Sequence, residues 1–165
     1  MLEKRSFYIN GKWISPSKSS DFEVINPSNE EAFAVISLGS AEDTSLAVEA
    51  AKKAFVKWKE TSKEERINLL EKLLKIYKKR FNEMAEAMSK EMGAPIDFAT
   101  SVHTASGQSH LEDFILRLKN FKFEEYFNTK SNNYISHEPI GVCGLITPWN
   151  WPINQIALKV IPAFA

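Results

Sequence analysis

Hydrophobic positions change period along this chain. In the first third they cluster in short β-type runs. Phe7-Tyr8-Ile9 and Trp13-Ile14 flank Asn10-Gly11, a strong hairpin dipeptide. Residues 22–25 and 32–36 flank Asn26-Pro27-Ser28-Asn29, a second turn cluster. The pattern predicts four short strands of a small antiparallel layer. From Ser40 the apolar spacing becomes helical. Ser40 with Asp43 resembles a capping box, and Ala47, Ala50, Ala51, Ala54, Phe55 and Trp58 fall on one face. Ser62 with Glu65 opens a second helix, with a stripe from Ile67 through Leu70, Leu73, Leu74, Tyr77, Phe81, Met84 and Ala85 to Met88. Gly93 is its stop and Pro95 suits the first turn of a third helix, which buries Ala99, Val102, Leu111, Phe114, Ile115 and Leu118.

The last third is different. Residues 121–127 and 134–136, around a polar turn at 128–133, read as two strands of a hairpin or as an arm. Residues 142–146, Val-Cys-Gly-Leu-Ile, form an apolar run suited to a strand buried on both faces of a parallel sheet. Residues 153–165 follow as a helix with Ile153, Ile156, Ala157, Val160, Ile161 and Phe164 on one stripe, and Pro162 is expected to kink or end it. Strand, tight turn and helix make the opening of a βαβ unit.

Composition adds little to that pattern, and charge adds more. The 165 residues are 44% hydrophobic and 25% charged, with one cysteine, as in ordinary globular proteins. This excludes collagen-like, disordered and disulfide-stapled classes. Twenty-one basic groups balance 21 acidic ones, which argues against a protein that coats nucleic acid. The N-terminus lacks an apolar signal region and no long apolar run spans a membrane, so a cytoplasmic protein is expected. The balance is uneven, however. Residues 52–90 carry 12 Lys/Arg against 6 Glu, which reads as a solvated helical face or, alternatively, a surface for an anionic partner. Between 139 and 165 the only charge is Lys159, a composition that belongs inside a protein.

Candidate chemistry is sparse. There is no G-x-G-x-x-G and no P-loop. His103, His110 and His137 are scattered without a Cys or Glu to complete a metal set, so no metal is expected and they read as ordinary polar residues. Cys143 is either a nucleophile or an inert core thiol, and its apolar neighbours favour the thiol. The informative segment is Pro148-Trp149-Asn150-Trp151-Pro152. Two prolines stiffen the turn and two indoles flank one amide. It lies after the expected strand and before a helix N-terminus, where α/β sheets bind ligands and the dipole favours negative charge. An asparagine amide held there can donate to an oxygen that gains charge. The alternative is a structural turn in which Asn bonds its own backbone.

The run from Glu138 to Pro152 (EPIGVCGLITPWNWP), followed by Lys159 and Pro162-Ala163, resembles the NAD(P)-dependent aldehyde dehydrogenase superfamily. So do Tyr8-Ile9-Asn10-Gly11-Lys12-Trp13, Val24-Ile25-Asn26-Pro27, Ala50-Ala51-Lys52-Lys53-Ala54-Phe55 and Glu91-Met92-Gly93-Ala94-Pro95, where Ala94 replaces a common Lys. The resemblance implies an α/β fold: a small N-terminal β layer, helices, the start of a parallel Rossmann-like sheet and one arm of an oligomerisation hairpin. The implied division is 1–120 for the dinucleotide-binding domain, 121–138 for the arm and 139–165 for the first strand-turn-helix of the cofactor cleft.

It further implies oxidation of an aldehyde to a carboxylic acid through a cysteine thiohemiacetal and thioester, with NAD or NADP as cofactor. Asn150 matches the catalytic asparagine, and Ile146, Thr147, Pro148 and Trp149 line the nicotinamide end of the cleft. Lys159 matches a lysine assigned to proton handling, with a structural ion pair as the alternative. The family's nucleophile and glutamate base match nothing in these residues, and Cys143 matches a strand position. The chain is therefore expected to be an N-terminal fragment, inactive by itself, of an enzyme that forms homodimers or homotetramers. A non-catalytic binding or assembly module is the alternative.

Overall fold

The computed structural model describes residues 1–128, 130 and 132–165. Five strands open the chain: β1 (Leu2–Lys4), β2 (Phe7–Ile9), β3 (Lys12–Ile14), β4 (Asp21–Asn26) and β5 (Glu31–Ser37). They do not form the single antiparallel layer expected. β2 and β3 make a separate hairpin pairing Tyr8 with Trp13, and its turn residues Asn10 and Gly11 have φ of 52° and 75°. Two positive φ values give the type I′ turn whose twist matches the strands. β5 is central in the other sheet. It pairs antiparallel with β4 and parallel with β1, where Leu2 faces Ala34. Ala34, Val35 and Ser37 of this central strand are buried.

Helices α1 (Ala41–Trp58) and α2 (Lys63–Lys79) begin at capping boxes, Ser40 with Asp43 and Ser62 with Glu65. Each serine oxygen accepts from an orphan N–H of the first turn while the carboxylate reaches back. The α1 stripe is half-buried except at Ala54, which is exposed. The single helix expected through Gly93 is two. Arg80, at φ −105° and ψ 16°, ends α2 and opens α3 (Phe81–Met92). Gly93 then terminates α3 at φ 72°. A Cβ there would lie 2.9 Å from Pro27 Cγ, so the Asn26-Pro27 turn packs against the Gly93 junction.

Beyond Pro95, the short α4 (Ile96–Phe98) passes through a π-helical turn at Ala99–Thr104 into α5 (Ala105–Asn120). Thr104 Oγ1 donates to the Ala99 carbonyl, five residues back, at 2.9 Å. Then β6 (Glu124–Tyr126) and β7 (Tyr134–Ser136) form an antiparallel hairpin, with Tyr126 and Tyr134 rings 5.5 Å apart. The polar turn between them includes 129 and 131, which lie outside the described residues. The chain ends in α6 (Pro152–Phe164), with Pro162 tolerated in its last turn. Leu70 of α2, Leu111, Ile115 and Leu118 of α5, and Ala157 and Ile161 of α6 form the main core.

Two expectations fail here. Residues 142–146 belong to no sheet. A parallel strand needs ladder neighbours, and the described strands pair among themselves. Cys143 is accordingly exposed, not a core thiol.

Candidate active-site turn

The Pro148–Pro152 turn leads into α6, which packs on α5 and the π-helical turn. Ile153, the second residue of α6, packs where a Cβ on Gly107 would come within 2.8 Å of its Cγ1 and 2.5 Å of the Tyr77 hydroxyl. That hydroxyl donates to the Thr104 carbonyl at 2.8 Å, and burial pushes the phenol up to about 12. The missing side chain at Gly107 thus lets α6 approach α5 closely. Nearby, His110 Nε2 and Asn154 Oδ1 lie 2.7 Å apart and tie the first turn of α6 to α5.

Trp151 enters α6 in the left-handed region, at φ 53° and ψ 57°. A residue before proline is disfavoured in the right-handed helical region and ordinarily turns extended instead. For an L-residue the left-handed one costs about 1–2 kcal/mol. No side chain caps α6, and Pro152 brings no N–H. The positive end of the helix is therefore open beside Asn150. The Asn150 side chain is exposed and makes no hydrogen bond to any described residue. A structural turn bonding its own backbone is not what this asparagine forms.

The other sequence-derived positions are placed as follows. Ile146 is 87% exposed and Trp149 80%, while Thr147 and Pro148 are exposed too. They form one continuous uncovered segment leading into Asn150. Lys159 is half-buried and has no ion-pair partner among the described residues. Helical spacing puts it opposite the buried Ile153, Ala157 and Ile161, about 10 Å of helix rise from Pro152. The structure thus brings 146–150 together in one turn and leaves Lys159 apart. A groove of about 590 Å³ between the start of α2, the end of α5, the hairpin and the end of α6 includes none of residues 146–150. Among the described residues no group of three or more His, Cys, Asp or Glu side chains is placed to hold a metal ion, and no helix is long and apolar enough to cross a membrane.

His103, read from the sequence as an ordinary polar residue, is not a surface one. It is 2% exposed and lies between Phe98 and Trp151, at ring-centroid distances of 4.9 and 5.3 Å. The π-helical turn carries an i→i+5 bond that shifts side-chain register, and no residue pattern announces it.

A model of the aldehyde dehydrogenase family matches residues 13–165. A 3-succinoylsemialdehyde-pyridine dehydrogenase from a Pseudomonas species is 44% identical over all of this chain and 34% of its own length. The crystal structure of an aldehyde dehydrogenase from Bartonella henselae superposes with a TM-score of 0.97 at 55% identity, over 99% of this chain and 35% of that one. A mutant aldehyde dehydrogenase C from Pseudomonas syringae, in complex with NAD+ and octanal, gives 0.92 at 39% identity, over 97% and 32%. The chain spans about a third of the length of these relatives. The matched residues run from β3 to the end of α6 and include the whole of the Asn150 turn, so this chain belongs to the aldehyde dehydrogenase family.

Proposed function

We propose that this chain is the N-terminal part of an NAD(P)-dependent aldehyde dehydrogenase, and that Asn150 supplies its oxyanion-stabilising amide. The observation that carries this reading is the Asn150 side chain itself, exposed and unbonded among the described residues at the open N-terminus of α6. The amide N–H donates to the aldehyde oxygen as that oxygen gains negative charge. The adjacent helix end favours the same charge, so both act more strongly on the transition state than on the neutral substrate.

The cofactor site fits the residues present. Ile146, Thr147, Pro148 and Trp149 expose one unpaired stretch of backbone beside an uncapped helix end, a surface able to meet a flat ring and polar groups. NAD or NADP, when bound, supplies the hydride acceptor. The NAD+ complexed with the P. syringae relative supports the first of these. Lys159, charged and without an ion-pair partner among the described residues, is proposed to handle a proton. The nucleophilic cysteine and the base are proposed to lie outside these 165 residues. The hairpin β6–β7 is proposed as part of an oligomerisation arm in a dimer or tetramer.

The test is to express the complete reading frame and follow NADH formation with octanal and with aromatic aldehydes. Asn150→Ala is expected to lower kcat by about 10²–10³ while leaving the NAD+ KM nearly unchanged. Undiminished turnover in that variant would overturn the assignment. The 165-residue polypeptide alone is expected to form no aldehyde-dependent NADH above background.

A further inference from the structure

The His103 ring has two neighbours and one unexplained atom. It stands edge-on to Phe98 at 4.9 Å and 66°, and tilted against Trp151 at 5.3 Å and 44°. Its Nδ1 is buried with no hydrogen-bond partner among the described residues. A buried ring nitrogen left unpaired is unfavourable, by about 1–3 kcal/mol. Polar bonding through Nδ1 therefore does not fix the ring here. Contact with the two aromatic rings does.

His103 sits in the π-helical turn, and Thr104 beside it is fixed at both ends. Its hydroxyl donates to the Ala99 carbonyl, and its own carbonyl accepts from Tyr77. The backbone carrying the imidazole is thus rigid. The backbone it touches is not comfortable. Trp151 holds a left-handed conformation that an L-residue keeps only when its surroundings impose it. Its carbonyl accepts from the Gln155 N–H at 3.1 Å, which ties its backbone to α6, and its side chain meets the His103 ring at 5.3 Å. Asn150 is the preceding residue in the chain, and its side chain has no hydrogen bond to any described residue.

We infer that His103 is a positioning residue for Asn150, acting through the Trp151 ring. The π-helical turn provides the rigid base, the imidazole sets the indole, and the indole holds the φ that aims the Asn150 amide. This rests on the catalytic reading of Asn150 given above, so the experiment has one arm that needs no activity.

In that arm every tryptophan of the complete polypeptide except Trp151, Trp13, Trp58 and Trp149 among them, is replaced by Phe, and acrylamide quenching is measured. His103→Ala is expected to raise the Trp151 quenching constant by about twofold or more, since a ring partner is lost. His103→Phe, which keeps a ring there, restores the protection. Unchanged quenching in His103→Ala, or no restoration by Phe, overturns the inference.

The second arm is kinetic. His103→Ala is expected to lower kcat about tenfold with an unchanged NAD+ KM, as misaimed catalytic groups do. His103→Ala/Asn150→Ala should then be no slower than Asn150→Ala alone, because both changes remove one function. Additive losses, or a rise confined to the aldehyde KM, overturn the inference. If Asn150→Ala itself keeps full activity, the catalytic reading fails, and the quenching arm still decides whether His103 holds Trp151.

Discussion

At the scale of single residues, Asp43 at the start of α1 and Gly107 under α6 each hold a junction of the fold. Asp43 is buried, and its carboxylate accepts from the Ser17 N–H, the Ser40 N–H and the Ser40 hydroxyl at 2.7–2.8 Å. These donors, the Ser17 N–H foremost, hold its pKa down at about 2. An unfolded aspartate titrates near about 3.9. The folded value is the lower one, so the stabilisation is complete above the unfolded pKa and is lost as pH falls from there through about 2. Asp43→Asn is therefore expected to lower the melting temperature at pH 7 and to converge with the parent near pH 2. Thermal melts across that range check it, and a constant offset at all pH values would refute it. Gly107 acts by absence. Gly107→Ala gains helix propensity of about 1 kcal/mol. Its methyl meets a hydroxyl fixed by a hydrogen bond and a buried isoleucine. Overpacking of this kind costs about 1–3 kcal/mol. We expect a net loss of stability in denaturant melts, with α6 the first element to lose amide protection.

At the scale of elements, the sequence was most legible where local chemistry is self-sufficient. Ser40 and Ser62, each with an acid three residues on, mark helix starts that the structure keeps to the residue. Asn10-Gly11 marks its hairpin because few other residues adopt two positive φ values. Gly93 marks the end of α3 for the same reason. The misses share a cause too. The break at Arg80 and the π-helical turn lie inside unbroken helical patterns, with no Gly or Pro to signal them. The parallel pairing of β1 with β5 joins residues about thirty apart, and short-range pattern does not report such a partner. Residues 142–146 have a strand's composition but not a strand's bonding, since pairing needs a neighbour and composition does not supply one.

At the scale of the whole molecule, the uneven charge becomes a surface. The basic stretch of α2 is largely a solvated face, with Lys78 paired to Glu112 and Glu71 to Lys119 across to α5. The nearly uncharged end is uncovered instead, with Ile140 93% exposed and Ile146 and Trp149 close behind. Apolar patches of this kind drive association. The 165-residue polypeptide is expected to self-associate in sedimentation velocity, and Ile140→Lys with Ile146→Lys should shift it toward monomer. A parent that stays monomeric at every concentration would refute this. In the longer relatives, which this chain matches over about a third of their length, such a face is where further chain is expected to pack.

The sequence by itself determined the helix caps, the hairpin turn, the apolar stripes and the Pro148–Pro152 motif, because each is written in residues within a few positions of one another. The tertiary structure alone decided that the Asn150 side chain bonds to no described residue, that Cys143 is exposed and that His103 lies against Trp151. Those facts depend on which distant surfaces meet. His103 and Trp151 belong to segments almost fifty residues apart, brought together where α6 packs closely on α5 at Gly107 and His103 sits in the π-helical turn.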